Sequence, residues 1–504
     1  MTARAWGWLA PISVALFAFV LRVWNLGRPK TILFDETYYA KDAYSLLKHG
    51  YVRDFVESAN TRIQSGNLRG LMTDDPTQIV HPDGGKWIIA IGEQLWGLNS
   101  FGWRFSAAVV GSLTVLVLAR LVLRLTGSVV IGCLAGFLLA IDGMHFVMSR
   151  LALLDVFLVF WIVCAVACLV ADRDWIGARL DRRHLIRPWQ IGAGICFGMA
   201  CGTKWSAIYV LAAFGILTVA WEVLLRRRAG STRNIVTSIL VVGAPAFVAI
   251  IGFTAITYLA TWTGWLIHHD AYEARFGHGY GSTNPPWGAY VDDKPSTFFG
   301  KAIQALRSLW HFHVMTYDFH TGSYLAGKTH PYQSNPLGWL ILERPVGVDA
   351  INDLPASSCG AAKDSTCMRQ VLILGNPVIW WSGALALIVA LIEWIRSGDW
   401  RWGIPVAGLA ATWLPWFMYG DRPIFAFYAL ATLPFTIIAL SMIAFRVVRR
   451  AARHSARMHK IAWGVVGAYA LLALVIFGYF YPIYTDQLIS HEAWMSRMWF
   501  TSWI

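Results

Sequence analysis

Apolar residues of this chain fall into eleven long runs that polar segments separate. A helix needs about 20 apolar residues to cross the hydrocarbon core of a bilayer, and all but the shortest run, 189–202, come close to that length. The pattern predicts an all-α polytopic membrane protein with about 11 transmembrane helices. The runs are 6–26, 101–123, 129–147, 151–171, 189–202, 207–225, 235–266, 377–395, 403–418, 424–445 and 461–481.

Polar residues are concentrated in two long segments, 27–98 and 267–376, whereas the other connections are short. Long loops beside a rigid scaffold often carry binding and catalytic residues. We therefore expect one membrane-embedded domain, residues 1–504, in which these two segments hold the functional groups. No internal repeat is visible, which weakens the case for a transporter built from inverted repeats.

Basic residues are concentrated in alternate connections, after the even-numbered runs. Because cytoplasmic loops carry the excess of Lys and Arg, this alternation predicts a cytoplasmic N-terminus in the plasma membrane. The C-terminus and both long segments are then extracytoplasmic. The residues are Arg120, Arg124, Arg173, Arg179, Arg182, Arg183, Arg187, Arg226, Arg227, Arg228, Arg233, Arg396, Arg401, Arg446, Arg449, Arg450, Arg453, Arg457 and Lys460.

Composition agrees with the membrane prediction, since 57% of residues are hydrophobic and only 14% are charged. A chain this apolar is not an array of water-soluble domains. The net charge of +13 suits an anionic membrane surface or an anionic lipid substrate. Nucleic acid is not an expected partner, because the basic residues form short clusters between apolar runs. Cys359 and Cys367 lie in an outer polar stretch, where their spacing permits a disulfide.

Two adjacent acids, Asp35 and Glu36, follow the first apolar run in the stretch TILFDETYYAKD. They could cap a helix or mark the end of a span. Alternatively, an acid at the point where a helix leaves the membrane can meet a substrate from either phase. We interpret Asp35 as a catalytic base and Glu36 as its neighbour in the same site.

The motif HPDGGKW in the first outer segment contains His81 and Lys86. The two glycines would let the backbone approach a ligand closely, and Lys86 offers a positive charge to a phosphate. The alternative is a tight turn beside a surface lysine.

Four charged residues lie within or at the ends of apolar runs, where a charge is costly unless it has a partner or a function. Arg104 lies in WRFSA, Arg150 and Asp155 in SRLALLD, and Lys204 in GTKWS. Snorkelling or an Arg150–Asp155 ion pair could explain any one of them. The predicted topology, however, places all four at the outer interface, at the level of Asp35. Cations facing a carboxylate there would suit a lipid-linked phosphate leaving group.

Histidines recur in the second outer segment. They lack cysteines or acids at ligand spacing, so aromatic packing is favoured over a metal site. The chain also lacks a phosphate-binding Gly-Lys-Ser loop and a dinucleotide glycine fingerprint, which disfavours a soluble nucleotide donor. We expect no metal and no cofactor. The residues are His311, His313, His320 and His330, with Tyr317, Asp318 and the stretch HPYQSNPLGW, which contains Tyr332.

Several of these stretches together, in this order along the chain, resemble a bacterial, actinobacterial-type protein O-mannosyltransferase of the GT-C class. Any single stretch is weak evidence, whereas the ordered set is specific and covers most of the chain. The matching stretches are FDETYYAKD, HPDGGKW, WRFSA, SRLALLD, GTKWS, HFHVMTYDFHTG, HPYQSNPLGW and DRPIFAFYAL.

The resemblance implies transfer of mannose from a polyprenyl-phosphate donor to Ser or Thr of proteins that emerge from the secretion machinery, with inversion at the anomeric carbon. Asp35 matches the catalytic acid of the family. Asp83 stands where the family commonly has a second proline, and the last outer loop has no room for the β-trefoil domain of fungal and animal members. On this basis we assign donor-phosphate binding to Arg104, Lys204, Lys86 and Arg150, and substrate binding to His81, Asp155, His313, His320, His330 and Tyr332.

Two other functions remain open from the sequence. A GT-C transferase with the same kind of donor but a lipid or glycan acceptor would show a similar acidic pair and similar outer cations. An ion-coupled transporter would also have many spans with buried charges, although such a protein places them near the midplane of the membrane.

Overall fold

The computed structural model describes residues 2–180, 184–281 and 284–504, and most of them are helical. Within these ranges seven helices are long and apolar enough to cross a membrane, which confirms the helical multi-pass class. Of the four predicted spans that are not among these seven, 129–147, 189–202 and 403–418 coincide with shorter helices, and 424–445 overlaps a helix that begins only at Leu433. The number of eleven crossings therefore remains a prediction. Arg182 and Arg183, two of the predicted cytoplasmic basic residues, lie outside the described ranges.

The N-terminal half is built from long helices that begin and end at recognisable signals. The helix over 100–126 begins where the Asn99 side chain accepts hydrogen bonds from two backbone N–H groups, and it ends at Gly127 in the left-handed conformation. The helices are α1 (Ala3–Val23), α2 (Glu36–His49), α3 (Ala59–Gln64), α4 (Gly84–Trp96), α5 (Ser100–Thr126), α6 (Val129–Ala140), α7 (Gly143–Met148), α8 (Leu154–Gly177), α9 (Pro188–Cys201), α10 (Ala207–Arg228), α11 (Ile235–Phe247) and α12 (Phe253–Thr261).

A π-helical turn, Val248–Gly252, joins α11 to α12, so that together they form one long apolar helix. The C-terminal half contains several short helices and one long helix, over 298–321, in the second polar segment, followed by further long helices. They are α13 (Thr263–Ile267), α14 (His269–Phe276), α15 (Phe298–Thr321), α16 (Ser323–Ala326), α17 (Pro336–Trp339), α18 (Pro377–Ser397), α19 (Gly403–Trp413), α20 (Leu433–His454), α21 (Ala456–Tyr484) and α22 (His491–Met495).

Two small antiparallel sheets, which the all-α expectation did not include, lie in the polar segments. β1 (Arg53–Phe55) pairs with β2 (Met72–Pro76) in the first segment. β3 (Val346–Leu354), β4 (Cys367–Ile373) and β5 (Ile489–Ser490) form the second sheet in that order, so that the chain after the last long helix joins the second segment. The disulfide that the cysteine spacing permits, Cys359–Cys367, is present between β3 and β4.

The two polar segments pack against each other. The Tyr272 hydroxyl lies 3.3 Å from the backbone N of Val52, and the Arg275 guanidinium donates to Asp54 at 3.0 Å. Next to them, α5, α6, α8 and α20 pack into a core in which Leu118, Leu139 and Val156 are fully buried. The two polar segments are therefore in contact with each other beside one helical core.

Candidate active site

Asp35 lies in the connection between α1 and α2, at the N-terminal end of α2. The positive end of a helix dipole stabilises a carboxylate in that position. Burial nevertheless raises the pKa of Asp35 to about 6; the positive charge of Lys204 lowers it, the negative charge of Asp155 raises it, and Tyr39 lowers it. The sequence-predicted base is thus a largely buried carboxyl group that changes protonation state close to neutral pH.

The carboxylate of Glu36 is bound on all sides by protein groups. This gives Glu36 a structural role and corrects its assignment to the catalytic pair. Its carboxylate is fully buried and accepts two hydrogen bonds from Arg104, at 2.7 and 2.8 Å. The backbone N–H groups of Leu33 and Ala152 donate to the same carboxylate at 3.0 and 3.1 Å. These four bonds satisfy both oxygens, so Glu36 has no lone pair directed at a substrate.

Arg104 is likewise not placed to bind a donor phosphate, contrary to the sequence-based assignment. Besides the Glu36 carboxylate, its guanidinium donates to the carbonyl oxygens of Pro29 at 2.7 Å and Thr31 at 2.9 Å, and the side chain is fully buried. Arg104 and Glu36 therefore fix the segment 26–36 that carries Asp35.

Arg150 also differs from its assigned role. Its guanidinium donates to the backbone oxygens of Arg22 and Trp24, both at 2.7 Å, and of Asn25 at 3.2 Å. These carbonyls are at the C-terminal end of α1, where four backbone oxygens lack helical partners. Arg150 caps that helix, and the Arg150–Asp155 ion pair considered from sequence does not form in the structure.

Lys86 is buried between acids, so its expected role in phosphate binding is also corrected. Its ammonium lies 3.1 Å from Asp42 of α2 and 3.1 Å from Asp83, and its side chain is 1% exposed. The two glycines that precede Lys86 pack closely against other parts of the protein. Gly84 donates its backbone N–H to the Gly202 carbonyl at 2.8 Å, which brings α4 directly onto the end of α9.

Lys204 follows α9 and pairs with Asp155 at the start of α8. Its ammonium donates to both carboxylate oxygens of Asp155, at 2.9 and 2.8 Å, and it lies 5.1 Å from the centre of the Tyr428 ring. The charges of both residues act on Asp35. Of the predicted phosphate-binding cations, Lys204 is the one that borders an open cavity.

That cavity has a volume of about 750 Å³ and is the candidate substrate site. Its polar end contains His81, Asp155, Lys204, His320 and Arg422. The remaining wall is mostly apolar and aromatic. Its apolar residues include Leu158, Ile162, Ile208, Leu211, Ile251, Ala255, Ala411 and Pro415. A molecule with a charged head and a long hydrocarbon tail fits this division.

His320 orients Arg422 at the polar end. Arg422 donates to Nδ1 of His320 at 3.1 Å, and Nε2 of His320 lies 3.1 Å from the Val80 carbonyl. Burial, together with the positive charges of Arg422 and Lys204, lowers the pKa of His320 to about 4, although the hydrogen bond to Val80 acts in the opposite direction. A neutral imidazole can accept from Arg422 and donate to Val80 at the same time. His81 stacks on His320 at 5.4 Å and also borders the cavity.

His313 lies on the opposite wall, in a chain of hydrogen bonds. Trp205 donates to the Tyr258 hydroxyl at 2.9 Å, Tyr258 is bonded to Nε2 of His313, and Nδ1 of His313 lies 2.7 Å from the Leu309 carbonyl. His313 also stacks on Trp205 at 5.4 Å. The aromatic packing favoured from sequence therefore applies to His313, although its ring faces the cavity.

His330 and Tyr332 do not border the cavity, which corrects their assignment to direct substrate binding. His330 packs edge-on against Phe34 at 6.2 Å and Phe425 at 5.0 Å. Its Nδ1 accepts a hydrogen bond from the backbone N–H of Tyr332 at 3.1 Å. Since Phe34 directly precedes Asp35, these aromatic rings support the segment that carries Asp35.

Sequence reasoning missed Arg422, Tyr39 and Tyr428 as members of the site. Arg422 is in DRPIFAFYAL, a stretch already recognised as part of the resemblance, and a basic residue between two apolar runs was the available signal. Within 2–180, 184–281 and 284–504, no group of three or more His, Cys, Asp or Glu side chains is arranged to hold a metal ion. The expected independence from metal remains a prediction.

Comparison with known proteins gives consistent matches over the whole chain. The family described as dolichyl-phosphate-mannose-protein mannosyltransferase matches residues 12–264, and the C-terminal four-span region of protein O-mannosyltransferase matches residues 305–503. A polyprenol-phosphate-mannose–protein mannosyltransferase from Mycobacterium tuberculosis is 32% identical over 99% of this chain and 92% of its own length. The protein of the same name from Mycolicibacterium smegmatis is 34% identical over 99% of this chain and 93% of its own length.

A solved structure supports the fold. A protein O-mannosyltransferase complex from Saccharomyces cerevisiae, bound to the sugar donor, contains a chain that superposes with a TM-score of 0.71. The match covers 100% of this chain and 93% of that chain, at 15% identity.

Proposed function

The chain belongs to the dolichyl-phosphate-mannose-protein mannosyltransferase family, and from that premise we propose that it transfers mannose from polyprenol-phosphate-mannose to hydroxyl groups of proteins. The acceptors are Ser and Thr side chains of proteins that emerge from the secretion machinery. The observation that carries the proposal is that Lys204 and Asp155, which line the polar end of an otherwise apolar cavity, act electrostatically on the buried carboxyl group of Asp35.

The cavity accommodates the donor in one orientation. Its apolar wall takes the polyprenyl chain, and the phosphate lies between Lys204 and Arg422. His320 holds Arg422 in position, while Asp155 holds Lys204 and offsets part of its charge. Two cations near one phosphate lower the energy of the negative charge that develops as the phosphate leaves. His81 faces the mannose from the same end.

The chemical step requires one proton acceptor. The acceptor hydroxyl oxygen attacks the anomeric carbon of mannose as its proton passes to Asp35. The bond from that carbon to the phosphate oxygen breaks, and polyprenyl phosphate leaves with the bonding electrons. Because attack and departure occur on opposite faces, the anomeric centre inverts. The proton on Asp35 then passes to water, which restores the carboxylate.

The proposed orientation in the membrane rests on the alternation of basic residues along the chain. Asp35 and the cavity's polar end lie among the two outer segments, which we place on the extracytoplasmic side of the plasma membrane together with the C-terminus. The N-terminus is cytoplasmic. An acceptor protein would then meet the site as it leaves the secretion machinery.

The experiment is a transfer assay with the purified full chain, radiolabelled polyprenol-phosphate-mannose and a peptide rich in Ser and Thr. The matched control peptide replaces each Ser and Thr with Ala. We expect label in the first peptide alone, and base-catalysed β-elimination should release it as mannose. Label that entered a lipid or glycan fraction in preference to the peptide would support the alternative acceptor class. A chain that moved donor across vesicles without transfer would support the transporter.

A further inference from the structure

A second cavity, of about 240 Å³, lies where α1 and α21 end. Trp24, Asn25 and Arg28 form one wall, and Arg369 of β4 contributes from the outer sheet. The opposite wall belongs to the end of α21 and the turn after it. No residue of this cavity lines the larger one. The second wall consists of Tyr481, Thr485, Asp486, Gln487 and Leu488.

Asp486 borders this cavity, and among the described residues one of its carboxylate oxygens has no hydrogen-bond partner. The residue is 8% exposed, and its Oδ2 lies 3.5 Å from the guanidinium of Arg369. Its Oδ1 is buried without a hydrogen-bond partner in the part of the chain that the structure describes. A buried carboxylate oxygen without a donor is destabilising, and a cationic donor on a ligand would remove that cost.

Two guanidinium groups of the same cavity are not fully engaged. The side chain of Arg369 is 39% exposed and makes the long contact to Asp486 described above. Arg28 is exposed. Paired arginines bind phosphate through parallel N–H donors. The cavity therefore offers one carboxylate to a cation and two guanidinium groups to an anion, and its volume suits a lipid headgroup.

The position of the cavity is at the boundary of the membrane. Both α1 and α21 are long enough to span it, and the cavity lies beside their C-terminal ends. Trp24 and Tyr481 provide the aromatic side chains typical of such a boundary. Arg150 fixes the wall by binding the carbonyl oxygens of Arg22, Trp24 and Asn25. A ligand at this depth would be part of the lipid leaflet.

We propose that this cavity binds the headgroup of a zwitterionic aminophospholipid of the phosphatidylethanolamine type. Its ammonium donates to Asp486, and its phosphate lies between Arg28 and Arg369. The acyl chains lie along the apolar surfaces of α1 and α21. The inference does not depend on the transfer reaction, and it places a specifically bound lipid between the first and the last long helix.

The test is native mass spectrometry of the purified full chain with phosphatidylethanolamine, phosphatidylcholine or phosphatidylglycerol of identical acyl chains. Phosphatidylcholine keeps the charges but its trimethylammonium has no N–H donor, and phosphatidylglycerol lacks the cation. We expect one retained phosphatidylethanolamine, preferred about tenfold, as one charge-assisted hydrogen bond to a buried oxygen predicts. Equal retention of all three lipids, or a preference for phosphatidylglycerol, would overturn the proposal.

Variants of the protein test the contacts to the ammonium and to the phosphate of the headgroup separately. Asp486→Asn should abolish the preference for phosphatidylethanolamine, whereas Arg28→Gln, at an exposed position that folding tolerates, should weaken all three lipids. Asp364→Asn makes the same charge change at an exposed outer position and should keep the wild-type preference. A preference that survived Asp486→Asn, or unchanged retention by Arg28→Gln, would contradict the assigned contacts.

Discussion

Asp35 and Glu36 are adjacent in the chain, yet the structure gives them opposite surroundings. Glu36 is saturated by Arg104 and two backbone N–H groups, while the pKa of Asp35 responds to the charges of Lys204 and Asp155, which line the cavity. The sequence places both acids at the end of the first span. It does not distinguish them, because the partner that engages Glu36 is 68 residues away.

The protonation of Asp35 should control transfer near neutral pH. Its pKa is raised to about 6, so the carboxylate that accepts the proton is lost as pH falls through that value. We expect kcat/KM to level off above about pH 7 and to fall about tenfold per unit well below pH 6. Initial rates at low donor concentration measure kcat/KM at each pH. Returning the enzyme to pH 7.5 checks that any loss is reversible. A flat profile from about pH 5 to 8 would contradict the assignment.

The Glu36–Arg104 pair should behave as a structural unit. Glu36→Gln and Arg104→Gln each leave a buried group without its charged partner, which costs about 3–5 kcal/mol of folding stability. The double variant should lose less than the sum of the two, since neither charge is then unpaired. Thermal unfolding in detergent of the unmodified protein, the two single variants and the double variant gives the double-mutant cycle. Full stability of Glu36→Gln combined with complete loss of transfer would instead return Glu36 to the catalytic chemistry.

At the scale of elements, the site depends on where helices end. Asp35 directly precedes α2, Asp155 lies in the first turn of α8, and Lys204 follows α9. Residues at three helix ends therefore act on one another, and two of them, Asp155 and Lys204, line the cavity. Hydropathy predicts the helices because apolar length is a local property. It does not predict that Gly84 of α4 contacts Gly202 at the end of α9, since that contact joins distant parts of the chain.

The contact of α4 with α9 should be sensitive to one methyl group. A Cβ on Gly84 would lie 2.6 Å from the Gly202 carbonyl oxygen, too close for the observed packing. We expect Gly84→Ala to displace the end of α9 together with Lys204, and to raise the KM for donor about tenfold or more. Gly215→Ala adds the same methyl in open space on α10 and should leave KM unchanged. Equal kinetics of the two variants would show that this contact does not position Lys204.

At the scale of the whole molecule, the fold class, the membrane character and the order of motifs were predictable, because each follows from composition, apolar length or resemblance. The site was predictable only in part. Asp35, Lys204, Asp155, His81, His313 and His320 gather at or beside the cavity, whereas Arg104, Arg150 and Lys86 are held by carbonyls or acids. A lone charge in a sequence does not reveal whether a distant partner has already engaged it.

Transfer should not require a divalent metal. The phosphodiester of the proposed donor carries one negative charge. Lys204 and Arg422 on the cavity wall supply two positive charges, which can balance it without a metal ion. We expect unchanged mannosyl transfer to a Ser/Thr peptide after incubation of the purified enzyme with excess chelator and its removal by gel filtration. Activity that disappeared and returned on addition of manganese or magnesium would contradict this mechanism and make Asp35 a metal ligand.

The most direct test of the account compares Asp35→Asn with Asp75→Asn, an identical change at an exposed position of the same outer segment. Donor binding and peptide transfer should be measured on the same folded preparations. If Asp35 removes the proton, Asp35→Asn keeps donor affinity and loses transfer by about 10²–10⁴-fold, while Asp75→Asn retains both. Transfer by Asp35→Asn within a few-fold of the unmodified enzyme would contradict the central claim that Asp35 is the catalytic base.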